Sequence, residues 1–271
     1  MRWDTQGLLL CVAAQTVGGF GCRLVRMKDK LVSGPAEAAP TNRLLLALPA
    51  RERRRVLAAS ETVELVLGQV LMRPGARVTT AYFPVDAIVS LGIVSAPHQE
   101  CLEVALVGWE GVIGLPLLLG AGVSGLHATV VKPGKAIVMA AADLRLQLLA
   151  SPALLRQTQR YVLVTLELLA QASLCTRHHQ VQERLARWLL MTQDRVQLGG
   201  FHATHEFLAA TLGVRRAGIT RAAANLQRRQ LIAYRRGEGA VIDRPGLQAA
   251  ACSCYAADCA SYQALMHARR A

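Results

Sequence analysis

One stretch, from Thr204 to Leu231, constrains the fold of this 271-residue chain more than any other: THEFLAATLGVRRAGITRAAANLQRRQL. Phe207, Leu208 and Leu212 form an apolar stripe that predicts a short helix. Gly213 stands where this helix must end, because glycine adopts the left-handed backbone conformation without strain. A second helix is predicted after this turn, with an apolar side made of Ile219, Ala223, Leu226 and Leu231.

The opposite side of the second helix is basic. It carries Arg215, Arg216, Arg221, Arg228 and Arg229. A short helix, a glycine turn and a basic second helix make the helix-turn-helix pattern, in which the second helix enters the DNA major groove. The alternative interpretation is an ordinary helical hairpin whose basic face is merely solvated.

The charge of the chain favours a polyanionic partner. The formal net charge is +13, and residues 201–245 contain eight arginines but only three acidic residues. Such an excess suits nucleic acid or an anionic membrane surface. The alternative is a generally basic protein whose arginine content reflects a GC-rich genome.

The first 41 residues are predicted to be a poorly ordered N-terminal extension and linker. Gly7–Val17 is an apolar run with the length of a signal-peptide core. The segment before it carries one arginine and one aspartate, so it lacks the positive charge that export signals need. We therefore expect an extension upstream of a native start near Met27, and export is the less favoured interpretation. No apolar run reaches the ~18 residues of a membrane span, so no membrane partner is expected.

Seven cysteines are scattered along the chain without a disulfide framework, which favours a reducing, cytoplasmic location. The tightest set is Cys252, Cys254 and Cys259, in a C-terminal tail that spans residues 251–271. These thiols could bind a soft metal or sense oxidation. Three thiols with no fourth ligand nearby are more simply inert, so no metal site is expected.

The first folded domain is predicted to span residues 42–150. Its start, residues 42–60, predicts a short helix that is interrupted at Leu48 and Pro49. Residues 61–138 then contain many short apolar runs separated by turn signals, which predicts a β-sandwich or jelly roll. A short helix ends the domain.

A long helix is predicted over residues 151–178. Ser151 can cap it, and Pro152 suits its first position. Most of its circumference is apolar, through Tyr161, Val162, Val164, Leu166, Leu168, Leu169 and Leu174. Such a helix needs burial on two sides, one against the strand domain and the other against a symmetry mate. A helix buried within one domain is the alternative.

Residues 179–250 are predicted to form a winged helix-turn-helix domain. A helix over Val181–Val196 precedes the stretch described first. After that stretch, Ile232–Ile242 reads as a β-hairpin with glycine in its turn.

This arrangement resembles the Crp/Fnr family of bacterial transcription regulators over about residues 42–250. The most specific matches are LGVRRAGITRAAANLQRRQLI with its hairpin, DRPGL, and ERLARWLL. GQVLMRPG, YFP and VSL resemble the effector domain of that family, and EGVIGLPLLLGA resembles the segment that carries its phosphate-binding cassette.

The resemblance implies both a fold and a function. The fold is α+β: an N-terminal jelly roll like that of cyclic-nucleotide-binding domains, a long central dimerisation helix, and a C-terminal winged helix-turn-helix. The function is that of a sequence-specific transcription regulator, in which a signal at the effector domain reaches the DNA-binding domain through the dimer helix. The implied partners are double-stranded DNA, a second copy of the chain and RNA polymerase.

The resemblance also assigns residues to DNA. Arg216 and Arg221 match the two arginines with which the family reads guanine, and the arginine fork can donate to O6 and N7 together. Ala217 replaces the family's acidic reader, so the contact to cytosine is lost. The residues at positions where phosphate contacts are expected are Thr204, His205, Arg215 and Thr220.

The effector pocket departs further from the family pattern. Where cyclic-nucleotide binders carry a glutamate and an arginine, this chain has Gly114 and Leu115, then His127 and Ala128. A cyclic phosphate would have no matched countercharge, so no cofactor and no tight cyclic AMP binding are expected. The cysteines near the N-terminus, Cys11 and Cys22, are too sparse for an iron–sulfur cluster. Candidate haem ligands, namely His98, Cys101 and His127, have no supporting spacing.

The sequence gives less support to two other classes of function. A small-molecule-binding or protein-interaction module would have only non-specific electrostatic affinity for DNA. An enzyme would need a catalytic motif, and the sequence contains no Walker A loop, HExxH or GxSxG motif and no carboxylates placed to converge.

Overall fold

The computed structural model describes residues 41–95, 100–196 and 200–267. The predicted N-terminal extension, with Cys11 and Cys22, lies outside the described residues apart from Thr41. His98 also lies outside them.

The described chain starts with two short helices, α1 (Arg43–Leu46) and α2 (Ala50–Ala58), which are separated near Pro49 as predicted. Asn42 fixes this start on the sheet domain. Its buried side chain accepts a hydrogen bond from the Leu44 backbone at 3.0 Å and donates to the carbonyls of Pro84 at 3.0 Å and Gly111 at 2.7 Å. A buried amide needs such partners, because each polar group left unpaired costs about 1–3 kcal/mol.

Two antiparallel sheets form the first domain. Its strands are β1 (Glu61–Leu65), β2 (Val70–Met72), β3 (Thr80–Pro84), β4 (Ile88–Ser95), β5 (Glu100–Val107), β6 (His127–Lys132) and β7 (Gly134–Ala140). One sheet has the order β1-β7-β3 and the other β2-β6-β4-β5. Their facing sides enclose a core that includes Leu65, Phe83, Leu91, Ile113 and Met139. The predicted strand domain of sandwich type is confirmed.

Helix α3 (Leu115–Leu118) lies between β5 and β6, whereas α4 (Ala141–Ala150) and α5 (Pro152–His178) follow β7. The start of α5 is as predicted, since the Ser151 hydroxyl accepts a hydrogen bond from the Leu154 backbone at 3.1 Å and Pro152 is the first helical residue. One side of α5 packs on the sheet domain. The apolar residues exposed on the other side are Leu155, Leu163, Leu166 and Leu174. Among the described residues, no helix has the length and apolar character needed to cross a membrane.

The C-terminal domain is built from α6 (Val181–Arg195), β8 (Phe201–His202), α7 (His205–Leu212), α8 (Arg216–Arg228), β9 (Ile232–Arg235), β10 (Glu238–Val241) and α9 (Arg244–Ala250). The three strands form one antiparallel sheet with the order β8-β10-β9. A second core holds these elements together, with Trp188, Leu208, Ile219, Leu226 and Leu247 among its residues.

The C-terminal tail contains a helix, α10 (Cys254–Met266), that packs against α5. The Tyr262 hydroxyl donates to the Glu110 carbonyl at 3.0 Å, and the Arg43 guanidinium lies 5.2 Å from the centre of the Tyr262 ring. Arg187 of α6 pairs with Asp258 at 2.7 Å. The last helix is therefore part of the folded body and contacts both domains.

Candidate nucleic-acid interface

The turn between α7 and α8 has the geometry that its sequence predicts. The Thr204 hydroxyl accepts a hydrogen bond from the Phe207 backbone at 3.1 Å and so caps the start of α7. Gly213 ends α7 with a φ of +61°. A Cβ atom at this glycine would lie 2.8 Å from Leu102 Cδ1 of β5, a contact that a small movement of this exposed side chain relieves, so it is the backbone angle that favours glycine here.

Helix α8 has one buried and one exposed side. Its buried residues are Ile219, Ala222, Ala223 and Leu226, close to the predicted apolar side. Its exposed side carries Arg216, Ala217, Thr220, Arg221, Ala224 and Arg228. These positions recur every three to four residues, so they share one face of the helix. The arginines on this face are separated by small side chains, which lets the helix approach a groove closely.

The two predicted base-reading arginines are free to bind a ligand. Arg216 lies 3.8 Å from Glu206, but the two side chains are 70% and 79% exposed, so this pair is weak. Arg221 is exposed and makes no hydrogen bond or ion pair with any residue that the structure describes. Both guanidinium groups can therefore turn towards acceptor atoms of a base.

The four predicted phosphate-contact residues differ in their environments. Arg215 is exposed just before α8, whereas Thr204 already caps α7. His205 stacks on the Tyr234 ring with centres 5.0 Å apart, and its Nδ1 lies 3.1 Å from the Thr220 hydroxyl. Burial, together with the charge of Arg216, lowers the pKa of His205, which favours the neutral ring. The His205 ring thus joins α7, α8 and β9, and the assignment of these residues to phosphate contacts stays a prediction.

The strands β9 and β10 form the predicted wing. Arg236 and Gly237 in its turn have φ angles of 53° and 89°, the pattern of a type I′ hairpin turn. Gly239 of β10 leaves room for the Phe201 ring, because a Cβ atom there would lie 2.3 Å from Phe201 Cζ. Arg235 and Arg236 are exposed on this wing. In the sequence they are marked only by their charge, and their placement beside a hairpin turn makes them candidates for DNA backbone contacts.

A half-buried carboxyl group joins the sheet domain to the C-terminal domain. Glu103 of β5 accepts hydrogen bonds from the Trp188 indole at 2.8 Å and from the Ser90 hydroxyl at 2.6 Å. Burial raises the pKa of Glu103 to about 7. The protonation of this group therefore changes near neutral pH at a contact between β5 and α6.

The four residues of the predicted effector pocket lie on two elements. Gly114, with a φ of +103°, and Leu115 stand at the start of α3, while His127 and Ala128 begin β6. Burial, together with the charge of Arg73, lowers the pKa of His127. The ring is therefore mainly neutral at pH 7 and supplies little positive charge. That the pocket is degenerate stays a prediction.

A separate cavity of about 340 Å³ lies where the sheet domain, α5, α6 and α10 meet. Its lining includes Glu110, Arg195 and Tyr262. Arg195 pairs with Glu110 Oε1 at 2.8 Å, while Glu110 Oε2 is buried without a hydrogen-bond partner among the described residues. No feature of the sequence marked this cavity, because its walls come from distant segments.

One premise about the tail cysteines is wrong. The expectation of inert thiols rested on the lack of a fourth ligand near Cys252 and Cys254. In the structure these two thiols lie beside Cys175 and His179, at the end of α5, rather than with Cys259. The four residues are far apart in sequence, so no local motif could reveal the group.

Comparison with known proteins supports this description of the domain. Residues 183–250 match the family model described as the Crp-like helix-turn-helix domain. No curated protein sequence matches the chain.

Among solved structures, FixK2 from Bradyrhizobium japonicum is similar with a TM-score of 0.62 and 14% identity, over 71% of this chain and 98% of that one. The c-di-GMP responsive global regulator CLP of Xanthomonas campestris has a TM-score of 0.58 and 17% identity, over 71% and 99% of the two chains. A Crp/Fnr-family transcriptional regulator from Thermus thermophilus has a TM-score of 0.55 and 22% identity, over 70% and 98%.

Sequence identities this low show a shared fold, and the family model identifies the DNA-binding domain within it. The predicted α+β architecture of sheet domain, long helix and C-terminal helix-turn-helix is confirmed. Residues 183–250 are therefore identified as a Crp-like helix-turn-helix domain, in a chain that shares the fold of these solved structures.

Proposed function

We propose that the protein is a cytoplasmic homodimer that binds a two-fold symmetric DNA site and regulates transcription from it. The observation that carries this proposal is the exposed face of α8, where Arg216 and Arg221 have no strong partner among the described residues. RNA polymerase is then a further partner of the DNA-bound dimer.

The exposed side of α5 supports the dimer. At 100° per residue, Leu155, Leu163, Leu166 and Leu174 fall within an arc of about 100° on this helix. An apolar stripe of this width is typical of a helix that buries it against another element. A second copy of α5 can cover the stripe in an isologous interface, which also makes the two α8 helices equivalent.

The two-fold symmetry sets the form of the DNA site. Two equivalent recognition helices enter successive major grooves on one side of the duplex, about 34 Å apart. Ala217 cannot accept a hydrogen bond from cytosine, but its methyl group suits apolar contact with the methyl group of thymine. The half-site should therefore contain guanines opposite Arg216 and Arg221 and tolerate thymine at the position that Ala217 faces.

Selection of bound sequences from random DNA, followed by gel shifts, tests the proposal. We expect an inverted repeat whose affinity drops when about half a helical turn is inserted between its half-sites, because the insertion places the second half-site on the opposite side of the duplex. Equal affinity for all spacings, with a steep dependence on salt, would instead indicate non-specific electrostatic attraction and contradict the proposal.

Cyclic AMP is not expected to bind tightly. The positions Gly114 and Leu115 offer no carboxylate for a ribose hydroxyl, and the lowered pKa of His127 leaves little positive charge for the phosphate. Calorimetric titration should show no saturable heat. Micromolar affinity would contradict this expectation.

A further inference from the structure

A group of four ligating side chains lies at the junction between α5 and α6. The Sγ atoms of Cys175, Cys252 and Cys254 and a ring nitrogen of His179 all lie within 4.8 Å of one another. The two sulfurs of Cys175 and Cys252 are 3.6 Å apart, and Cys254 Sγ is 3.4 Å from His179 Nδ1. The three thiols are buried and the histidine is half-buried.

Local structure explains why these side chains converge. Cys175 and His179 are four residues apart at the C-terminal end of α5, where the His179 backbone donates to the Cys175 carbonyl at 3.1 Å. Residues at this spacing share one face of a helix. Cys252 lies in the short connection between α9 and α10, Cys254 is the first residue of α10, and both pack against Cys175.

The donor set and its size fit a single ion. Three thiolates and one imidazole form one of the usual ligand sets of structural zinc, which is tetrahedral. With Zn–S bonds of about 2.3 Å, the ligand atoms of such a site lie about 3.8 Å from one another. The measured separations of 3.6 and 3.4 Å are close to this value, so the side chains need only small adjustments.

The surrounding charge also fits. Zinc with three thiolates carries one net negative charge, and a neighbouring cation offsets it. The positively charged guanidinium of Arg187 lies close enough to Cys175 to interact with it electrostatically. Arg187 is itself held in place by its ion pair with Asp258 of α10.

We propose that Cys175, His179, Cys252 and Cys254 bind one zinc ion in a closed tetrahedral site, which fastens the segment after α9 to the end of α5. Binding converts the three thiols to thiolates, and their protons pass to solvent. All four ligand positions come from the protein, so the site is structural rather than catalytic. This role is independent of which DNA sequence the protein binds.

Elemental analysis of the full chain, purified under reducing conditions and equilibrated with zinc, tests the proposal. We expect one zinc per chain, and the same value for Cys259→Ser, because Cys259 is exposed and outside the group. His179→Ala and Cys254→Ser should bind zinc at least about tenfold more weakly. Even the loss of a residue that only hydrogen-bonds to a metal ligand can lower the affinity this much, so the loss of a ligand should cost no less. Cobalt in place of zinc should give the absorption of a tetrahedral thiolate site in the wild-type chain and in Cys259→Ser, and this absorption should be weakened or lost in His179→Ala and Cys254→Ser.

The wild-type measurement stands without any variant, so a variant that fails to fold does not weaken the test. His179→Ala is the mildest of these substitutions, because His179 is only half-buried. Far-ultraviolet circular dichroism of this variant checks that it folds. Wild-type protein without zinc, a Cys175–Cys252 disulfide under the same reducing conditions, or stoichiometric iron in place of zinc would each overturn the proposal. Equal loss of zinc in Cys259→Ser would also overturn it.

Discussion

The double substitution Arg216→Ala, Arg221→Ala is expected to lower affinity for the selected inverted repeat by about 1,000-fold or more, to the level of non-specific binding. A bidentate contact between arginine and guanine contributes about 1–3 kcal/mol. Two such contacts in each half-site of a dimer amount to at least about 4 kcal/mol, which corresponds to about 1,000-fold. The fold should be unaffected, because both side chains are exposed and weakly paired. Gel shifts or fluorescence anisotropy on specific and scrambled probes measure the loss.

A matched control removes the same charge elsewhere. The double variant Arg51→Ala, Arg54→Ala removes two exposed arginines of α2. Neither side chain makes a hydrogen bond or an ion pair with the described residues. The control should bind the specific probe within about twofold of wild type, since distant exposed charges are screened at physiological salt. If both double variants lose affinity equally, α8 does not read the sequence and the charge of the whole chain dominates binding.

The free energy of unfolding is expected to fall as the pH rises from about 5 to about 8, through the carboxyl group of Glu103. Its pKa is about 7 in the folded protein and 4.5 in the reference state. Below the lower value the group is protonated in both states, and its stabilising contribution is fully present. Between the two values only the folded state keeps the proton, so this contribution declines steadily as the pH rises and is lost once the pH passes the higher value. A difference of this size corresponds to about 3 kcal/mol. Urea unfolding at several pH values measures it.

Glu103→Gln separates this group from all others that titrate. The amide stays neutral and can still accept the hydrogen bond from Trp188. The free energy of unfolding of this variant should therefore change less with pH than that of wild type, and the difference is the contribution of Glu103. The control is Glu61→Gln, because Glu61 is exposed on β1. An unchanged pH dependence in Glu103→Gln, equal to that of wild type, would show that this contact does not titrate near neutrality.

Features that depend on neighbouring residues could be predicted from the sequence. Ser151 before Pro152, Thr204 before α7 and Gly213 after it are caps whose chemistry lies within a few residues. The hairpin between β9 and β10 follows from Arg236 and Gly237 for the same reason.

Features that depend on the meeting of distant segments could not be predicted. Cys175 and Cys252 are separated by 77 positions, and only the packing of α10 on α5 brings them together. Glu103 and Trp188 are separated by 85 positions, and nothing near either residue marks the pair. The stacking of His205 on Tyr234 likewise appears only once the wing has folded back on α7.

The return of α10 to the first helix of the fold restricts how the DNA-binding domain can move. The domain is attached at both of its ends: α6 continues from α5, and α10 is held by Asp258 to α6 and by Tyr262 to Arg43 and Glu110. A body fixed at two points cannot swing freely about one flexible joint. Reorientation of α8 would therefore require sliding of packed helices over small distances, with rearrangement of the side chains between α5 and α10.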